Sequence, residues 1–120
     1  MQRVPGDNEY AERFGYSRAV RRAGVIEVAG TVAAGPDAYS QAIAAMEKVI
    51  RSVESLGGGV ADIIRTRMFV VDIARHAEDV GRAHAESFGL ALPASAMYGV
   101  AALIAPGLLV EVEATAVLDA

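Results

Sequence analysis

Two helical stripes set among five runs of strand character, in the order β-β-α-β-α-β-β, predict an α/β (α+β) domain: a single sheet with two helices on one face. Three observations carry this. Two segments repeat apolar residues at steps of three and four, the helical period. The runs between and around them are rich in β-branched residues, and the clearest of them alternate apolar with polar side chains. Glycine and proline punctuate the junctions.

Residues 1–14 are polar and unpatterned, and are expected to form a flexible arm ahead of a single domain over 15–120. Tyr16 to Arg22 and Val25 to Gly30 flank a turn at Arg22-Ala23-Gly24 and read as a β-hairpin. Gly35-Pro36-Asp37 breaks the chain, and Asp37 or Ser40 can cap the helix that follows. That helix carries Ile43, Met46, Val49, Ile50, Val53 and Leu56 on one side, with Glu47, Lys48, Arg51 and Glu54 opposite. Gly57-Gly58-Gly59 ends it, because glycine takes the left-handed cap conformation at little cost.

Ile63 to Val71 is a strand. Alternation puts Ile64, Thr66, Met68 and Val70 on one face and Arg65, Arg67 and Phe69 on the other. Asp72 is placed to cap a second helix with the stripe Ile73, Ala77, Val80, His84 and Phe88, ended by Gly89. Pro93 opens an apolar extended stretch from Ala94 to Leu103. After Ala105-Pro106-Gly107, Val110, Val112 and Ala114 alternate with Glu111, Glu113 and Thr115 in a last strand. Two helices cover one sheet face. The other is left with Arg65, Arg67, Phe69 and Glu111, and self-association is the economical way to cover it.

Composition narrows the function. A net charge of −4 argues against nucleic acid as the main partner, since phosphate binding draws on clustered basic charge. The absence of cysteine removes disulfides, thiolate catalysis and Cys-ligated metals. No stretch approaches the ~20 apolar residues of a membrane span. The N-terminus lacks the apolar core of a secretory signal, so a cytoplasmic protein is expected.

Several segments, in their order and spacing, resemble the Rid family (YjgF/YER057c/UK114, also described as endoribonuclease L-PSP). They are Gly15-Tyr16-Ser17-Arg18-Ala19, Val28-Ala29-Gly30-Thr31, Gln41 at the head of the first helix, Asp62 to Asp72, Pro93-Ala94, and Val110 to Ala116. The resemblance covers about residues 14–118. It implies a chorismate-mutase-like fold and a homotrimer whose sheets form a central barrel with three intersubunit clefts. It also implies cofactor-free hydrolysis of enamines and imines. An imine is already electrophilic, so the protein need only orient it and position a water.

On that resemblance Glu111 matches the acidic residue that positions water, and Tyr16 matches a pocket tyrosine. Read as residues alone, Glu111 is equally an ordinary strand carboxylate and Tyr16 a seam aromatic. Gly30 and Thr31 can offer turn N–H groups to an oxyanion, or simply form a turn. Deaminating members carry an arginine after Pro-Ala that grips the substrate carboxylate; here that position is Ser95, which offers one hydrogen bond and no charge. Met97 and Tyr98, with Ala96, make the expected lip of the pocket apolar and bulky. His84 is a candidate site residue, although a lone histidine on a helix stripe is more often a satisfied structural one. Glu113 is expected to pair with an arginine. His76 and His84 are eight residues apart and make no zinc pattern.

The expectation is a Rid-like enzyme acting on a small enamine- or imine-type metabolite, weak on 2-imino acids because Ser95 stands in place of arginine. A non-catalytic trimer binding a small ligand or a partner is the alternative. RNA cleavage is a weaker one.

Overall fold

The computed structural model describes residues 1–119. Strands β1 (Gln2–Val4), β2 (Ala19–Arg22), β3 (Val25–Thr31), β4 (Ile63–Val71), β5 (Ala94–Val100) and β6 (Val110–Val117) form one sheet in the order β1-β2-β3-β6-β4-β5. Helices α1 (Glu9–Phe14), α2 (Ala38–Ser55) and α3 (Ile73–Phe88) complete the chain, with a 3-10 turn at Val60–Asp62. Every paired neighbour is antiparallel except β4 and β5, which α3 joins as a parallel crossover.

Register explains the layering. Ile26 pairs with Ala116, Val28 with Ala114, Met68 with Val112 and Val70 with Val110, so these side chains share one face. That face is buried under α2 and α3. Met46, Val49 and Val53 of α2 and Val80 and Phe88 of α3 are fully buried against it, each burial contributing roughly 1.5–3 kcal/mol. Ala38, Ala42 and Ala45 are also buried, whereas Ile43 and Ile50 are only partly so. The small residues let α2 approach closely and widen the buried stripe on their side, so that Ile43 and Ile50 fall at its edge while Met46, Val49, Val53 and Leu56 stay inside.

The opposite face is half-buried. Phe69 stacks on Tyr98 with ring centroids 5.5 Å apart, and Arg67 pairs with Glu113 at 3.5 Å, the structural role expected for Glu113.

Asp37 caps α2, its carboxylate accepting from the Ser40 N–H at 2.8 Å. At the other end Gly57 is left-handed (φ 94°), and the N–H groups of Gly57 and Gly58 donate to the carbonyls of Glu54 and Val53.

Four expectations need correction. The first fourteen residues are not an unpatterned arm. β1 pairs with β2, and Asn8 caps α1 by accepting from the N–H groups of Tyr10 and Ala11. Alternation fails at the start of β4, where a bulge at Ile64 leaves Ile64 52% exposed and buries Ile63 instead. Asp72 precedes α3 in a left-handed conformation (φ 54°) and makes no side-chain cap bond. The extended stretch after Pro93 ends at Val100, and 101–109 is irregular.

Candidate functional site

The site begins with a bulge. Between Val28 and Thr31, β3 holds one residue more than the facing stretch of β6, so Ala29 and Gly30 bow out of register. Arg18 braces the bulge. Its Nη2 donates to the carbonyls of Ala29 at 3.0 Å and Gly30 at 2.8 Å, and its own carbonyl accepts from the Ala29 N–H. Gly30 leaves room for the carboxylate in this position: a Cβ on it would lie 2.8 Å from Oε1 of Glu111. The Glu111 side chain therefore lies directly over the bulged backbone.

A cavity of about 320 Å³ opens at this point. Tyr16, Arg18, Gly30 and Glu111 give its polar side, and Ile104 and Leu108 an apolar one. Glu111 is half-buried. Burial chiefly pushes its carboxyl above the ordinary glutamate range, Glu113 adds to the effect, and Arg18 opposes it. A carboxyl so placed can take and return a proton closer to neutrality than a free one.

The sequence reading brings Tyr16, Gly30 and Glu111 together, and the structure places all three on this cavity. Thr31 does not line it; its side chain is fully buried and its hydroxyl donates to the Ala29 carbonyl at 2.7 Å.

A second polar cluster lies on the helix side of the sheet. Oγ1 of Thr66 is 2.7 Å from both Nε2 of His84 and Oγ of Ser95. His84 packs on Phe88 with ring centroids 5.0 Å apart, and burial lowers its protonation range. Within one chain, then, Ser95 and His84 meet each other and not Glu111. Met97 and Tyr98 are not the lip of the Glu111 cavity either: Met97 packs against the core and Tyr98 stacks on Phe69 on the other face. Strand alternation is the reason, since neighbours in β5 point to opposite sides.

Sequence reading missed Arg18 as a site residue, along with Asp7, Asn8, Tyr10 and Lys48, which also line the cavity. The signal for Arg18 was a charged residue next to Ala19 at the start of a strand that has to face the core. The other four needed the folded N-terminal segment and the path of α2. Among the described residues no three His, Asp or Glu side chains group to hold a metal ion. No helix there is long and apolar enough to cross a membrane.

The chain matches the family model described as endoribonuclease L-PSP over residues 7–118. It is 32% identical to the uncharacterized protein SCO2049 of Streptomyces coelicolor over 123 aligned residues, covering 97% of this chain and 91% of that protein. The structure of Rv2704 from Mycobacterium tuberculosis, described as a member of the highly conserved YjgF/YER057c/UK114 family, superposes with a TM-score of 0.93 at 42% identity over 98% of each chain. RidA from the Antarctic bacterium Psychrobacter sp. has the same fold, with a TM-score of 0.82 at 20% identity over 97% of this chain and 94% of that one. The chain therefore belongs to the Rid, or YjgF/YER057c/UK114, family.

Proposed function

We propose that this protein is a cytoplasmic Rid-like enzyme that hydrolyses a reactive enamine- or imine-type metabolite at the Glu111 cavity. It works as a homotrimer in which a neighbouring chain closes each cleft. Glu111 takes a proton from water as the water oxygen adds to the C=N carbon. The nitrogen gains a proton, and the carbinolamine then collapses to a carbonyl compound and ammonia or an amine. An enamine first takes a proton on carbon, which the protonated Glu111 can supply. No cofactor is needed for these steps.

The observation that carries the proposal is a half-buried carboxyl with a raised protonation range, held by a glycine bulge at a cavity of small-molecule size. Tyr16 and Gly30 line that cavity, with Thr31 fixing the end of the bulge. Ser95 and Tyr98, both exposed on β5, enter as the neighbouring chain's contribution to the cleft, with Met97 and His84 packed behind them. Ser95 supplies a hydroxyl already bonded to Thr66 and no charge, so 2-imino acids are poor substrates. A semicarbazide competition assay tests this. The expected result is little turnover of 2-aminoacrylate-type imines; turnover equal to that of arginine-bearing relatives contradicts it.

One observation favours a second reading, a non-catalytic trimer that binds a small ligand: the described lining of the cavity holds no histidine to share proton transfer with Glu111. A metabolite that stabilises wild type and Glu111→Gln equally against heat, without turnover, selects this reading. RNA cleavage fits least, because the net charge is −4. A nuclease activity that disappears in Glu111→Ala selects it.

A further inference from the structure

Ser95 stands at the exposed end of a line of three polar groups that runs into the chain. It lies on β5, exposed, in register with the fully buried Thr66 of β4, and His84 of α3 is half-buried behind them. Oγ1 of Thr66 is 2.7 Å from Oγ of Ser95 and 2.7 Å from Nε2 of His84. The direct gap from Ser95 Oγ to Nε2 is 3.5 Å, so the connection runs through Thr66.

A hydroxyl has one hydrogen and two lone pairs, and an imidazole nitrogen donates or accepts according to its proton. The line therefore has two directions. When Nε2 is bare, Thr66 donates to it, Ser95 donates to Thr66, and Ser95 turns its lone pairs outward. When His84 is protonated, both ring nitrogens are donors. Nε2 then donates to Thr66, the Thr66 hydrogen goes to Ser95, and the Ser95 hydrogen is released outward. All three groups belong to one chain, so the direction follows the charge of His84 whatever a neighbouring chain brings to the cleft.

The surroundings of His84 are uncharged. One turn away on α3 stand Val80, Gly81, Ser87 and Phe88. Met68 of β4 and Met97 of β5 follow Thr66 and Ser95 on the same sheet face. Arg82 and Glu86 of α3 are taken up with Tyr39 of α2. Among the described residues burial is the one cause that moves the protonation range of His84, and it moves it below the ordinary histidine value. A Glu111 carboxylate set across the cleft by a neighbouring chain would raise that range without changing which direction goes with which charge.

We infer that His84 is a positioning residue: Nε2 is bare in the neutral ring, and protonation, acting through Thr66, turns the Ser95 hydroxyl from a hydrogen-bond acceptor into a donor toward the cleft. The acid form then favours a ligand that presents a lone pair to Ser95, as an imine nitrogen does. This consequence for the ligand rests on the reading of the cleft as the imine site; the relay itself does not.

The test is a pH titration of the full chain by NMR, following the His84 ring nitrogens together with Cβ of Thr66 and Ser95. In the neutral ring Nε2 should carry the shift of a bare nitrogen, and both Cβ signals should move at the His84 midpoint. Thr66→Val should leave His84 titrating and Ser95 Cβ still, and Thr66→Ser should restore the movement. A proton on Nε2 of the neutral ring, a Ser95 Cβ that stays flat in wild type, or one that still follows His84 in Thr66→Val overturns the relay. The wild-type curves decide even if Thr66→Val does not fold. Kinetics on one hydrolysable imine read the ligand consequence. The ratio of KM in Ser95→Ala to KM in wild type should grow about threefold or more from the alkaline to the acid side of the His84 midpoint. A constant ratio overturns the ligand assignment. If no imine is turned over, the proposed function falls, and the NMR curves still decide the relay.

Discussion

Two polar clusters occupy opposite faces of the same sheet, and they differ in what is left over. On the helix side, Thr66 joins Ser95 and His84 through contacts of 2.7 Å, so the three polar groups are linked to one another. On the other side, Arg18 keeps an unpartnered Nε and Glu111 has its protonation range raised by burial beside a cavity. A closed polar cluster fixes geometry. An incomplete one next to empty space is fitted to receive something.

The difference is easiest to sharpen through Glu111. Glu111→Gln keeps shape and removes proton transfer, and should lower kcat/KM by about 10²-fold or more on any imine the wild type hydrolyses. Ser95→Ala removes one neutral hydrogen bond and should cost less than about tenfold. Steady-state kinetics of the two variants on one substrate checks the contrast. Equal losses erase it.

Gly30→Ala separates position from chemistry. The added Cβ meets Oε1 and Cδ of Glu111 at 2.8 and 2.9 Å, the far end of a flexible side chain. The carboxylate has to move while the sheet need not. Activity should fall by about 10²-fold with a nearly unchanged melting temperature. A parallel loss of both means that the glycine serves the fold.

Thr66→Val should show the reverse profile. It strips both His84 and Ser95 of their shared partner and should destabilise by about 1–2 kcal/mol, read from urea unfolding, with turnover reduced less than in Glu111→Gln. A stability equal to wild type removes the structural role given to this cluster.

The smallest effects lie in pH. Glu111 binds its proton more readily folded than unfolded, so its contribution to stability is complete in acid and is lost as pH rises through the raised folded value. Glu111→Gln should therefore gain on wild type in melting temperature between acid and neutral pH. His84 has the opposite sign. Its lowered range means its contribution is present above the ordinary histidine value and is lost as pH falls through the folded value. Wild type should soften on the acid side, and His84→Asn less so. Melting curves across pH for the three proteins read both signs.

How much of this was legible in the sequence follows from what kind of signal each residue leaves. α2, α3 and the alternation in β6 are periodic, and periodicity survives without coordinates. The strand edges do not: one extra residue at Ile64 inverts which isoleucine is buried, and no local preference marks it. Asn8 was a readable cap, yet α1 has only six residues and β1 three, too short for a pattern. At the site, Glu111, Gly30 and Tyr16 came through resemblance and fell together. Arg18 did not, because the bulge whose carbonyls it holds exists only in the folded chain. Ser95, Met97 and Tyr98 join Glu111 in the sequence by their place after Pro93-Ala94, and His84 only as a lone histidine on a helix stripe; a single chain spreads them over two faces of the sheet.

The most direct test of the central claim is the pH profile of kcat/KM for wild type and Glu111→Gln on one hydrolysable imine, set beside an NMR titration of the Glu111 carboxyl. The wild-type profile should carry a limb that coincides with the Glu111 titration, displaced upward from an ordinary glutamate, and the variant should lose both the limb and most of the rate. A variant that keeps the wild-type rate and the same limb would contradict the assignment of proton transfer to Glu111.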